Sequence, residues 1–307
     1  VQMIVIVVGL VIVSWFAGDM AGGTASVISR AAAEGRFSFL PTLDFADMLG
    51  WIAALVTMAL GSIPQQDVFQ RVNSSKSETV AVWATTLGGL SYFFFAAVPL
   101  FLAYTATIID PEMTAQLMKN DSQLVLPNLV AKHMPFWIQV VFFGALLSVI
   151  MSTASGTLLA PSVTFAENVV KGSVRNMSDR QLLLTTRITV VVFTFMVTIY
   201  AVITDASIHT MVENAYRITL AGAFVPLAAG LFWRRASNLG ASLSIFFGLG
   251  VWLMLEASGA ELIVEPQLIG LVFSLVGMIV GSYISPNPHR QHRHGMAPPH
   301  EGARHQA

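Results

Sequence analysis

ADMLGWIAALVTMALGSIPQQDVFQR, Ala46 to Arg71, opens as an apolar helix, meets Gly61, Ser62 and Pro64 after about four turns, and then turns polar. Two readings are open. The helix simply ends here, with Gly and Pro as cap and stop, or it is broken inside a membrane. A break frees backbone carbonyls and amides at membrane depth. That is tolerated only where they line a cavity or a ligand takes them up, and interrupted helices are the best sequence pointer to a transporter's binding site. Asp67 and Arg71 follow at i,i+4, where an intrahelical ion pair near the cytoplasmic face is expected rather than a proton relay.

The surrounding chain is built for lipid. Of its 307 residues 55% are from the AVILMFWYC set and 11% are charged, against about 25% charged in a soluble domain; its mean hydropathy is +0.69. Apolar blocks of spanning length run roughly over 1–17, 46–61, 80–109, 136–160, 182–203, 208–233, 239–255 and 262–284. They predict an all-α polytopic membrane protein of about eight spans. Alternating the loops puts Arg71, Lys76, Lys171, Arg175, Arg180, Arg187, Arg234, Arg235, Arg290, Arg293 and Arg304 on one side. Arg30, Arg36, Lys119 and Lys132 fall on the other, so the first side, with the C-terminus, is expected in the cytoplasm. A net charge of −1 gives no basic field for nucleic acid. With no cysteine, disulfides, thiol catalysis and Cys-ligated metals are excluded.

The first block, VQMIVIVVGLVIVSWFA, is apolar from Val1, and the chain reads as the C-terminal portion of a longer protein. The domain division expected is a transmembrane region over 1–285 and a polar, disordered, His-rich cytoplasmic tail over 286–307. His289, His292, His294, His300 and His305 in that tail define no helix face, so an unstructured tail is preferred to weak metal binding. The loop 110–135 is expected to be either a short amphipathic helix over an outer vestibule or a solvated connector.

Two further stretches carry chemistry. In FFGALLSVIMSTASGTLLAPSVTFAENVVK, 142–171, Ser148, Ser152, Ser155 and Ser162 recur at helical spacing and Thr153 adjoins Ser152. Hydroxyls and carbonyls suit a hard monovalent cation, by extension from the rules for calcium. Gly144, Ser148, Ser152 and Gly156 are equally what close helix packing needs, and on the residues alone packing is favoured. In 208–233, Glu213 and Arg217 stand at i,i+4 within an apolar span. A structural pair is favoured over a gating or substrate contact.

GSIPQQDVFQRVNSSKS, followed by ALLSVIMSTASGTLLAPSVTFAENVVK, resembles the sodium/solute symporter family, closest to its choline, proline and pantothenate-type carriers. The resemblance rests on Q-R-x-x-S-x-K-S after a broken helix and M-S-T-x-S in a later one, and covers 1–284. It implies the leucine-transporter-type inverted-repeat fold. Here that would be the last helix of the first repeat, all of the second, and two appended helices. It also implies a sodium site built from Ser152, Thr153 and the Val149 carbonyl, which turns the packing reading of Ser152 and Thr153 into the minority one. Gly61, Ser62 and Ile63 match the unwound segment facing the substrate, and Gln65 and Gln66 follow it.

The family's sodium site also takes carbonyls from a broken helix of the first repeat, which is outside these residues; that part of the parent protein is an expected partner. Where choline carriers have an aromatic after Ile-Pro, this chain has Gln65, which weakens cation–π recognition of a quaternary ammonium. The function expected is sodium-coupled symport of a small polar or zwitterionic solute across the cytoplasmic membrane by alternating access, with sodium as coupling ion and no cofactor. The rivals are a solute sensor with an attached signalling module and a passive channel. An enzyme is not expected, since no nucleophile, base and orienting group cluster at one depth.

Overall fold

The computed structural model describes residues 2–174, 177–204, 206–259 and 262–285; the His-rich tail lies outside them. Among the described residues there is no strand. In chain order the helices are α1 (Gln2–Met20), α2 (Thr24–Ala33), α3 (Phe45–Gly61), α4 (Gln66–Asn73), α5 (Glu78–Phe95), α6 (Ala97–Ile109), α7 (Pro111–Asn120) and α8 (Val125–His133). They continue as α9 (Phe136–Thr164), α10 (Lys171–Ser173), α11 (Asp179–Ile203), α12 (Ile208–Thr219), α13 (Val225–Phe232), α14 (Asn238–Ser258) and α15 (Pro266–Ile284). π turns at Phe165–Val170 and Leu220–Phe224 join α9 to α10 and α12 to α13. Among the described residues seven helical stretches are long and apolar enough to cross a membrane. The eighth apolar block, α3, has 17 residues; at 1.5 Å per residue it reaches about 26 Å, short of a hydrocarbon core of about 30 Å. It falls short because the chain turns at Ser62–Pro64 before α4 begins.

The described residues form two compact units, one within 2–40 and 66–211, the other within 41–65 and 212–285. In the first, α1, α6, α8 and α9 close on Val13, Ala17, Leu102, Val130, Ile138 and Phe142. Residues 110–135 are neither the single helix nor the bare connector considered above. They form α7 and α8, whose Met113, Val125 and Leu129 bury against Ala106. Asp110 starts this cap by accepting from the Met113 amide at 3.0 Å, the ordinary work of an N-cap carboxylate before a first-turn proline. His133 Nε2 lies 3.2 Å and Lys132 Nζ 3.8 Å from the same carboxylate. The Met113 amide first, then the His133 ring and the Lys132 charge, hold the Asp110 carboxyl below its ordinary range.

The second unit is held by a hairpin of small residues. Gly240, Ser244 and Gly248 on α14 and Gly270, Ser274, Gly277 and Gly281 on α15 are buried at three- and four-residue spacing. A Cβ on Gly277 would lie 2.6 Å from the Leu243 carbonyl oxygen, and one on Gly281 2.7 Å from Gly240 Cα. The backbones approach so closely only because those Cβ atoms are missing. The Ser244 and Ser274 hydroxyls bond each other at 2.8 Å in the buried seam. The π turn lies on this hairpin, with Gly222 against Leu249 and the Ala221 carbonyl against Gly248. Gln267 on α15 is 1% exposed and donates to Thr57 of α3 at 3.3 Å.

Candidate functional site

The helix stop expected at Gly61, Ser62 and Pro64 is present, in a form that fits both a helix end and a broken helix. α3 ends at Gly61, Ser62–Pro64 form a turn, and α4 opens at Gln66. Gly61 is buried against the Tyr216 backbone of α12, leaving no space for a Cβ. Its carbonyl accepts from the Thr219 hydroxyl at 2.6 Å, and Gln65 Nε2 donates back to Thr219 Oγ1 at 3.4 Å. The polar group released by the break is thus met by a neighbouring helix, as its burial requires. Ser62 is half-buried and turns its hydroxyl to the Ala59 carbonyl at 3.1 Å. Ile63 is 44% exposed, and Gln66 is exposed at the start of α4. Of the residues matched to the unwound segment, the structure brings Gly61 and Gln65 to one point, and Thr219 joins them there.

The Asp67 side chain lies outside the described residues. Arg71 reaches α9, where its Nη2 would stand 3.1 Å from a Cβ placed on Gly156. Gly156 follows Ser152 by four residues and Thr153 by three, so this guanidinium lies one turn from the two hydroxyls.

On α9 the hydroxyls divide. Ser155, Thr157, Ser162 and Thr164 each donate to the carbonyl four residues back, at 2.7, 2.9, 2.6 and 3.0 Å, as helical Ser and Thr do when nothing else calls on them. Ser152 and Thr153 make no such bond among the described residues, and both are exposed. Val149 is half-buried; its carbonyl stands one turn below Thr153 and keeps a lone pair beyond its helical bond. Among the described residues nothing lies within 4 Å of a Cβ on Gly144, and Arg71 approaches Gly156.

Glu213 and Arg217 form the expected pair, with Arg217 Nη2 2.9 Å from Glu213 Oε1. Arg217 Nη1 also stands 3.8 Å from Glu256 of α14. Glu256 lies two residues from the end of α14 and Glu213 five residues after the start of α12, so the cluster sits toward the helix ends. Sequence reasoning missed Glu256 and Thr219. Glu256 was detectable as a lone carboxylate ending an apolar run, whereas nothing local separates Thr219 from other helical threonines.

The chain is thus an all-α multi-pass membrane protein in which, among the described residues, the carbonyl at the end of α3 is met by a neighbouring helix and a hydroxyl pair on another span makes no bond. The chain belongs to the sodium:solute symporter family, whose model matches residues 1–248. Among its relatives, high affinity choline transporter 1 of Mus musculus is 28% identical over 267 residues, 85% of this chain and 45% of that protein. The Homo sapiens protein of the same name is 27% identical over 269 residues, with 85% and 45% covered. The sodium/pantothenate symporter of Haemophilus influenzae is 26% identical over 165 residues, 52% of this chain and 34% of that protein. The chain spans about half the length of the choline transporters it matches.

Proposed function

We propose that this chain is part of a sodium-coupled symporter that moves a small organic solute by alternating access. The observation that carries the reading is the Ser152–Thr153 pair, two adjacent hydroxyls that make no bond among the described residues, on a helix whose following hydroxyls are tied to its own backbone. Neutral oxygens suit sodium. With the Val149 carbonyl they form one side of its shell, and carbonyls from the family's other broken helix complete it. Coupling then follows if the ion binds the conformations with different affinity. The arginine-rich loops and the C-terminus face the cytoplasm in this reading.

For the solute we infer a small polar or zwitterionic molecule contacting the Gly61–Gln65 turn. The choline transporters among the relatives raise a quaternary ammonium as the other class, but Gln65 offers an amide where their pattern has an aromatic face.

The test uses the full-length protein in detergent, melted in sodium and in equimolar potassium. A ligand confined to the native state adds RT ln(1 + [L]/Kd), about 2.7 kcal/mol at a hundredfold excess. A sodium-specific rise that Ser152→Ala and Thr153→Val each abolish is expected. A rise unchanged in both variants moves the ion away from these hydroxyls. Uptake of a zwitterionic amino acid and of choline into proteoliposomes, under an inward sodium gradient, then separates the solute classes.

A further inference from the structure

The candidate spans 208–232, 238–258 and 266–284 all have an end at one place, at Phe232, Asn238 and Ile284. Whatever lies among those ends is at the boundary between membrane and water. A cavity of about 510 Å³ lies there, lined among others by Trp233, Arg234, Ser237 and Asn238. Arg235, next in the chain, sets its guanidinium carbon 4.5 Å from the centre of the Tyr283 ring, and Trp233 lies 6.2 Å from the same ring. Trp and Tyr at this depth are the usual interfacial anchors.

The charges here are unbalanced. Among the described residues no carboxylate pairs with Arg234 or Arg235. Among the described residues the buried Arg235 Nε has no hydrogen-bond partner, and a buried guanidinium nitrogen costs free energy until it finds an acceptor. The N-terminus of the 21-residue α14 opens onto the same cavity and adds its positive end. Around the mouth, Leu231, Phe232, Tyr283 and Ile284 are 64, 86, 62 and 68% exposed. Together these give positive donors over an apolar collar, at headgroup depth.

We propose that the cavity at Trp233–Asn238 binds the phosphodiester headgroup of an anionic glycerophospholipid, with Arg234 on the phosphate. Arg235, held by stacking on Tyr283, supplies the second positive charge, and the acyl chains lie along Phe232 and Ile284. A soluble phosphate would gain the arginines but nothing from the apolar collar, which is why the lipid is the source chosen. Basic pockets between spans are where such headgroups bind.

The test melts the full-length protein in detergent with added phosphatidylglycerol, phosphatidylcholine or inorganic phosphate. It compares wild type, Arg234→Gln and Arg234→Lys, each also melted without additive. Phosphatidylglycerol should raise the wild-type midpoint by several degrees over phosphatidylcholine, with inorganic phosphate inert. Arg234→Gln should lose at least half of that rise while Arg234→Lys, which keeps the charge, retains most of it. Reading the rise against each variant's own additive-free midpoint removes any general loss of stability. An equal rise in Arg234→Gln, no preference for the anionic lipid, or the same rise with inorganic phosphate would overturn the proposal.

Discussion

The Thr219 hydroxyl holds the Gly61 carbonyl at 2.6 Å, so the backbone oxygen that the helix break sets free is already in use. Thr219→Val keeps the shape of the side chain and removes the bond, leaving both that carbonyl and the Gln65 amide without their partner. An unsatisfied buried acceptor costs about 1–3 kcal/mol. The expected result is a lower unfolding midpoint for Thr219→Val in the full-length protein, with Thr219→Ser close to wild type. A Thr219→Val variant that melts like wild type would show that the carbonyl does not depend on this hydroxyl.

Glycines of α14 divide sharply in what surrounds them. A methyl on Gly248 would enter the Ala221 carbonyl, whereas one on Gly250, two residues on, meets nothing within 4 Å. Gly248→Ala should therefore destabilise by about 1–3 kcal/mol through overpacking. Gly250→Ala should be neutral or stabilise by up to about 1 kcal/mol through helix propensity. Thermal unfolding of the two variants side by side checks the contrast, and equal midpoints would contradict the seam described here.

Arg217 answers two carboxylates, Glu213 at 2.9 Å and Glu256 at 3.8 Å. Removing the cation takes the Arg217 contact from both acids, while removing Glu256 leaves the closer pair intact. Arg217→Gln should cost about 1–3 kcal/mol, and Glu256→Gln should cost less than half of that. Glu213→Gln in an Arg217→Gln background should recover part of the loss, which a double-mutant comparison of midpoints measures.

Asp110 is held below its ordinary carboxylate range, so in the folded state it gives up its proton more readily than in the unfolded one. The sign follows by linkage. Its stabilisation is fully present above the unfolded value of about 3.9 and is lost as pH falls through the lower folded value. Asp110→Asn should remove this component and make the acid limb of stability shallower below about pH 4. Midpoints measured from pH 6 downward test this, and an unchanged limb would mean that α7 is capped without its carboxylate.

The all-helical class, the eight apolar blocks and the break after Gly61 were legible because each rests on local pattern: length of apolar run, and Gly and Pro at the stop. The pairing of Glu213 with Arg217 was legible for the same reason, being a one-turn relation. Glu256 and Thr219 were not, since each acts on a residue far along the chain, and the periodicity of one helix does not say which helix will face it. The small-residue stripe shows the limit most clearly. Sequence pattern offered close packing for the Gly144–Gly156 face of α9, while the small residues of α14 and α15, which pack helix to helix, were not singled out. Both stretches have small residues at the right spacing, and only the partner helix distinguishes them. Spacing alone did not separate Ser152 and Thr153 from the other hydroxyls of α9, because whether a hydroxyl is bonded is a property of its surroundings.

The π turn at Leu220–Phe224 makes its stretch of helix sensitive to length as well as to composition. A π turn accommodates one residue more than an α turn, and one residue corresponds to about 100° of rotation. On one side of it Tyr216 and Thr219 meet the end of α3; within it Ala221 and Gly222 meet α14. Winding the same residues as a uniform α-helix would turn α13 about its axis by roughly that amount, so that one of the two seams loses its match. The wide turn thus sets the rotation of one seam against the other, and inserting a further residue, which adds about 100° with no second wide turn to absorb it, is a harsher change than most substitutions.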